Sequence, residues 1–383
     1  MTSNPDWTMF LSSSRALQAS SRDQGTQDHA MVAFVGNLLP IVSHKASYQR
    51  LLQQRGGQAQ LLIDNLQLAL QAHRWVDAQK ETVLKATLRL SKVTGLLPTS
   101  YRLPEIEVTR RVYEAPCVDI YRGAVGGRVV CLKKYRSCYL DAAGIHELMS
   151  REAVIWANHP HTGILPFLGV YQNGSGVFDS GLYLVSPFME HGTITEFLAS
   201  FPGVDRRLLL KDIADAISFL HHHHIIHADI KGANVLVSSG GRACLADLGF
   251  ARLTEAAVLT WTSIQSTVCL GTVPWQAPEL LQVQRSGGYV VPTAASDVYA
   301  LGCLAYEIFT NKPPFWNIRE GAHSATRAYQ IIKAVVKYDE RPQKPSNGSR
   351  AFRLHGLTEE VWSFMAETWR RDPQLRPSAA EVS

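Results

Sequence analysis

The chain has 383 residues, 46% hydrophobic and 19% charged, with 38 Lys and Arg against 33 Asp and Glu for a net charge of +5. That is globular composition, long enough for two or three folding units and a large core, and the mild basic excess without a dense Lys/Arg block argues against a nucleic-acid partner. The six cysteines, Cys117, Cys131, Cys138, Cys244, Cys269 and Cys303, include no Cys-x-x-Cys pair, which points to reduced thiols of a soluble, cytoplasmic protein rather than a zinc site or disulfide framework.

Residues 1–28 are rich in Ser, Asp, Gln and Thr and lack an apolar signal-peptide core, so a disordered tail is predicted there. The apolar run Met31–Val42 holds Gly36, Asn37 and Pro40 and is too short to cross a bilayer, and no transmembrane segment is expected. Residues 29–97 read as helical. Leu61, Leu62, Leu66, Ala69 and Leu70 recur at helical spacing, as do Val76, Val83, Leu84 and Leu88. Gly56-Gly57 interrupts the pattern, and Gly95 followed by Pro98 stops it. Three or so amphipathic helices fit this stretch, as a bundle that engages a helical partner; no Lys/Arg-rich face with aromatic anchors favours membrane action.

After Pro104 the pattern changes to short apolar runs. Val129–Leu132 and Leu182–Val185 read as strands, with turns at Gly126-Gly127 and Asn173–Gly176. From about Asp205 the chain becomes mainly helical. The reading is α+β: a small, mostly β unit over about 104–187, a larger, mostly α unit over about 190–383, and a helical segment before both.

The strongest local signal is His227-Ala228-Asp229-Ile230-Lys231-Gly232-Ala233-Asn234, followed by the apolar Val235–Val237, then Ala246-Asp247-Leu248-Gly249 and later Ala277-Pro278-Glu279. In this order the three resemble the H-R-D-L-x-x-x-N, D-F-G and A-P-E motifs of the eukaryotic protein kinases. Lone Asp and Asn residues in loops are usually caps or turns, but three ordered motifs with strand-like runs between them leave that explanation little room. The resemblance implies a bilobal kinase fold and transfer of the ATP γ-phosphate to protein hydroxyls. It implies that Asp229 takes the substrate proton, Lys231 offsets charge on the moving phosphoryl group, and Asn234 and Asp247 hold Mg²⁺. A lysine at position 231 resembles the Ser/Thr-directed type.

Val130-Cys131-Leu132-Lys133 resembles the family's strand lysine motif, which assigns the α- and β-phosphates to Lys133, with Lys134 on the opposite strand face as the fallback. Its carboxylate partner on the following helix is assigned to Glu152, with Glu147 second; five residues apart, they occupy different helix faces. By the same resemblance Ser186 takes the gatekeeper position and Met189 offers backbone groups to adenine. Asp297 resembles the aspartate that holds the catalytic-loop backbone, and Arg376 the arginine that pairs with Glu279. His221–His224 reads as a helix end rather than a metal cluster, and His227 as a packed strut.

Two departures stand out. The three glycines of the phosphate-covering loop fall on Tyr113, Ala115 and Val118, and the catalytic-loop arginine is Ala228. A non-glycine residue forced into a glycine conformation would cost ~1–3 kcal/mol, whereas one left extended would cost little. Without the arginine, the clamp on a phosphorylated activation segment is absent; Thr260, Thr262, Ser263, Ser266 and Thr267 remain candidates for modification there. Together with Leu88-Arg89-Leu90-Ser91, Gly95–Pro98, Ile164–Gly169 and Leu184–Gly192, the chain looks like the tyrosine-kinase-like (TKL) Ser/Thr kinases abundant in mushroom-forming fungi. An active Mg-ATP kinase is the first reading; a pseudokinase interaction module and a helical adaptor with a kinase-fold switch are the others.

Overall fold

The computed structural model describes residues 5–20, 24–72, 75–137, 140–173, 181–254, 273–282, 290–318 and 323–382. The chain divides into two units, Met1–Pro160 with Phe167–Phe188, and His161–Pro166 with Met189–Ser383.

The first unit opens on helix α1, Trp7–Ala19, which overturns the expected disordered tail. Asp6 caps it by accepting from the Thr8 and Met9 amides at 2.9 and 3.0 Å. Its composition is polar, yet Phe10 and Leu17, seven residues apart, lie on one buried stripe. Ser13 and Ser14 between them can be buried because their hydroxyls are paired: Ser13 Oγ donates to Phe10 O at 2.8 Å, and Ser14 Oγ accepts from Asn65 Nδ2 at 2.8 Å. Helices α2 (Gln24–Ser43), α3 (Lys45–Leu52), α4 (Gly56–Gln71) and α5 (Asp77–Thr94) follow. The apolar residues of the Met31–Val42 run, Phe34, Leu38 and Ile41 among them, fill a core shared with Phe10, Leu17, Leu62, Leu66 and Leu90. Among the described residues no helix is long and apolar enough to cross a membrane. Gly95, at φ 69°, ends α5 in the left-handed region that its missing Cβ allows.

An antiparallel sheet of order β1-β2-β3-β5-β4 completes this unit: β1 Glu107–Glu114, β2 Val118–Val125, β3 Arg128–Tyr135, β4 Gly169–Asn173 and β5 Gly181–Pro187. Gly126 and Gly127, at φ 54° and 77°, make the two-residue β2–β3 turn, whose twist needs positive φ at both positions. The other predicted turn, at 173–176, lies mostly outside the described residues. Helix α6, Ala142–Ala157, starts at the Asp141 cap and follows β3 in the chain. The helices α1–α5 and the sheet therefore share one unit, where the sequence reading separated them near residue 97.

The second unit is mainly helical. It contains α7 (Ile194–Ser200), α8 (Arg206–His222), α9 (Ala294–Thr310), α10 (Ser324–Ile332) and α11 (Glu359–Thr368), with the short ribbons β6 (Ile225–Ile226) with β9 (Arg252–Leu253) and β7 (Val235–Val237) with β8 (Ala243–Leu245). Helix α9 is its axis, buried continuously from Ser296 to Phe309. Gly302 permits that packing, because a Cβ there would collide with Thr368 Oγ1 and Trp369 Nε1. The carbonyls at the C-terminal end of α9 meet cationic or donor side chains: Arg206 donates to Ile308 O, and the ring of His355 bonds Phe309 O at 2.8 Å.

Candidate active site

In the first unit, β3 pairs with β2 and β5 so that Lys133 lies opposite Ile120 and Leu184. Lys133 Nζ donates to Glu152 Oε1 at 2.9 Å, and the Glu152 side chain is fully buried. Glu147 is elsewhere: its carboxylate meets Lys92 at 2.6 Å on the surface. Lys134 leaves the other strand face, with its ammonium 5.7 Å from the centre of the Tyr183 ring. Tyr135 carries no sequence signal of its role. Two residues beyond Lys133 and on the same face of β3, its hydroxyl donates to Glu152 Oε2 at 2.6 Å. Both carboxylate oxygens are thus engaged, as a buried charge requires.

Ser186 is buried on β5 opposite Cys131, and its hydroxyl donates to Pro187 O at 3.3 Å. Burial pushes the Cys131 thiol up to about 11, so it is protonated at neutral pH. Met189 begins the long segment of the second unit, and its carbonyl accepts from the Gly192 amide at 3.1 Å.

The β1–β2 turn, where the phosphate-covering loop was placed, has no strained backbone. Tyr113 pairs with Ile120, Val118 pairs with Tyr135, and Ala115 N donates to Val118 O at 2.8 Å. None of the three has positive φ. Arg136 secures the turn through Glu114 at 2.8 Å.

In the second unit the catalytic-motif residues gather on one loop and hairpin. The carboxylate of Asp297, on α9, accepts from His227 N at 2.8 Å and Ala228 N at 2.9 Å, and bonds His221 Nε2 at 2.9 Å. These bonds hold Ala228 at φ 68°, in the left-handed region. His227 is a strut: its Nδ1 accepts from Asp229 N at 3.3 Å, which places the proton on Nε2 for donation to Ala246 O at 3.1 Å.

Asp229 is 8% exposed. Its Oδ2 accepts from Lys231 Nζ at 2.7 Å and Asn234 Nδ2 at 2.8 Å, and Asn234 Nδ2 also donates to Asp229 O at 2.7 Å. The β7–β8 pairing of Val235 with Leu245, and the bond from Ala246 N to Asn234 O at 2.8 Å, carry the chain back so that Asp247 follows beside Asn234. Asp247 sits at φ 66° and accepts from Gly249 N at 3.3 Å.

Glu307, also on α9, was missed by the sequence reading. Its Oε2 accepts from Gly232 N and from Trp275 Nε1, both at 3.0 Å, tying the catalytic loop to the segment before Ala277-Pro278-Glu279. Burial raises its carboxyl to about 7. No local signal marks it, since it interrupts an apolar helix run. Arg376 grips Glu279 with two nitrogens at 2.7 and 2.8 Å. The histidines end α8: His221 meets Asp297, and the ring of His223 bonds Phe219 O at 2.9 Å. Among the described residues no group of three His, Cys, Asp or Glu side chains is arranged to hold a metal. The candidate modification sites Thr260, Thr262, Ser263, Ser266 and Thr267 lie outside the described residues.

The first unit thus holds a strand lysine ion-paired to a buried helix glutamate, and the second an Asp–Lys–Asn loop leading by a hairpin to a second Asp. The protein kinase domain family matches residues 118–383. The chain belongs to that family, which uses ATP and a divalent metal.

Among relatives, mitogen-activated protein kinase kinase kinase A of Dictyostelium discoideum is 28% identical over 61% of this chain and 22% of its own length. Serine/threonine-protein kinase STY17 of Arabidopsis thaliana is 26% identical over 73% of this chain and 44% of its own. Human cyclin-dependent kinase-like 2 is 30% identical over 67% of this chain and 52% of its own. The matches thus span from about a fifth to a half of these relatives' lengths.

Proposed function

We propose that this chain is a protein Ser/Thr kinase transferring the ATP γ-phosphate to protein hydroxyls. The observation that carries the reading is the Asp229–Lys231–Asn234 cluster, held within 2.7–2.8 Å contacts on a backbone fixed by Asp297. Lys231 at this place and relatives named as serine/threonine kinases support the Ser/Thr class; the wider text from Leu88 to Gly192 supports the TKL type. A cytoplasmic location and protein substrates belong to the same reading.

The donor set suits Mg²⁺. Asn234 commits its amide nitrogen to Asp229, which leaves its amide oxygen as the ligand atom, and Asp247 brings a carboxylate. Two hard oxygens, completed by phosphate and water, are what this ion prefers. When bound, it neutralises charge on the phosphates. Lys133, held by Glu152, serves the α- and β-phosphates, with Ser186 and Met189 at the adenine. Asp229 Oδ2 is occupied by Lys231 and Asn234, so Oδ1 is the atom that takes the hydrogen bond and proton of the substrate hydroxyl. Lys231, already beside Asp229, offsets charge on the transferred group.

The pseudokinase reading rests on the lost glycines and on Ala228 in place of the catalytic-loop arginine; at the glycine positions the backbone has no positive φ. The test is melting with millimolar Mg-ATP together with radiolabel transfer. Saturation at 100 times the dissociation constant stabilises by ~2.7 kcal/mol, a rise of several degrees; no shift, with no transfer, refutes the kinase.

A further inference from the structure

Helix α6 carries Glu152, and its end is tied to the N-terminal helices by a polar knot, buried at Gln67 and Tyr101 and half-buried at Asn158. Asn158, the residue that ends α6, and Gln67 of α4 join their amides in both directions: Gln67 Nε2 donates to Asn158 Oδ1 at 3.0 Å, and Asn158 Nδ2 donates to Gln67 Oε1 at 3.1 Å. Tyr101 donates its hydroxyl to Gln67 Oε1 at 2.6 Å and accepts from Asn158 Nδ2 at 3.1 Å. Asn158 Nδ2 also reaches Val154 O at 2.8 Å, inside the last turn of α6. Gln67 and Tyr101 are 2% and 4% exposed. Around the knot, Phe167 meets both Tyr101 and Trp156 of α6, each with ring centroids 5.3 Å apart. Farther along, α5 flanks α6, with Lys92 on Glu147 and Gly95 against the His146 ring.

We infer that Gln67 and Tyr101 are positioning residues for the Lys133–Glu152 pair, acting through Asn158 and the rigid length of α6. The inference rests on the kinase reading for its functional meaning. The physical argument is one of registry. A two-way amide pair has one satisfied geometry, and burial penalises every other, so it fixes position more than it adds stability. Asn158 and Glu152 are six residues apart, roughly 9 Å along a helix at ~1.5 Å per residue. A helix does not stretch, so the seat of Asn158 sets the height of Glu152. One residue of slip would carry that carboxylate about 1.5 Å along the axis and turn it by about 100°, out of reach of Lys133 Nζ. The exposed Lys92–Glu147 pair contributes little beside this. Helices α1–α5 are, on this account, part of the catalytic apparatus rather than a detachable adaptor.

The test uses the full chain and three readouts: melting temperature, the rate at which an amine-acylating reagent labels Lys133 relative to exposed Lys344, and the split of kcat from KM for ATP. Gln67→Ala should raise the relative labelling of Lys133 by roughly fivefold, the scale of one neutral hydrogen bond, and raise KM for ATP. The swapped pair Gln67→Asn with Asn158→Gln, which conserves total side-chain length, should return both toward wild type. Tyr101→Phe, which keeps the packing on Phe167, covers the case in which Gln67→Ala fails to fold, and should move labelling in the same direction. A lower melting temperature with unchanged Lys133 labelling in the folded variants overturns the inference. Labelling needs no nucleotide, so a chain that responds in labelling but never transfers phosphate supports the positioning role while refuting the kinase reading.

Discussion

The β1–β2 turn and the loop after β6 both lack residues that protein kinases usually place there, and their backbones differ. At the turn, Tyr113 and Val118 are paired strand residues and Ala115, between the strands, donates its amide to Val118 O, with no positive φ among the three. In the loop, Ala228 is held at φ 68° and, across the β7–β8 hairpin, Asp247 at φ 66°, conformations that side-chain-bearing residues adopt at a cost of order 1 kcal/mol. Asp297 offsets that cost by accepting from the Ala228 amide and from the His227 amide before it. A residue replacing a glycine adds no backbone strain where the chain stays out of the left-handed region. Where the geometry is needed, the surrounding structure must enforce it.

That contrast can be broken at several points. Asp229→Asn should reduce phosphate transfer by about 10²–10⁴-fold while the melting temperature moves little; transfer that survives would break the assignment of chemistry to this loop. Asp297→Ala strands His227 N, Ala228 N and His221. It should cost about 3–5 kcal/mol, the scale for opening a buried charged network, read by thermal or urea unfolding. A small loss would mean that Ala228 holds its conformation unaided.

Glu307 sharpens the comparison through pH. Burial raises its carboxyl from 4.5 to about 7, so the folded chain binds this proton more tightly than the unfolded chain. Its stabilising contribution is fully present below pH 4.5 and is lost as pH rises to about 7. Glu307→Gln keeps an acceptor for Gly232 and Trp275 and removes that slope. The melting temperature of the variant minus that of the wild type should climb between pH 4.5 and 7, by at most about 3 kcal/mol in equivalent stability, and stay level above; a flat difference across the range refutes the raised carboxyl. The smallest effect belongs to the turn. Replacing Tyr113 or Ala115 by Gly should lower stability by about 0.5–1 kcal/mol and tighten ATP only marginally, as measured by nucleotide titration. A tenfold gain would show that the original side chains do obstruct the phosphates.

Local chemistry made much of this legible. Gly126-Gly127 signals its turn, Gly95 ends α5, and strand register selects Lys133 over Lys134 for Glu152. What stayed hidden depends on contacts distant in the chain. Glu307 looks like an error in an apolar run until Gly232 and Trp275 are brought to it. The Gln67–Asn158 pair joins residues 91 apart, and polar side chains on amphipathic helices ordinarily face water. Helix α1 escapes sequence patterning because its serines look like those of a solvated tail, while the hydroxyls of Ser13 and Ser14 are paired inside the bundle.

That buried helix has a practical edge. Phe10 stacks on Phe34 at 5.6 Å, and Trp7 lies beneath the Arg50 guanidinium at 4.7 Å. An expression fragment trimmed to begin near His29, the natural choice for anyone discarding a polar leader, would uncover an oily trough along α2 and α4. Such a fragment should clump during purification, and its failure would say nothing about the kinase.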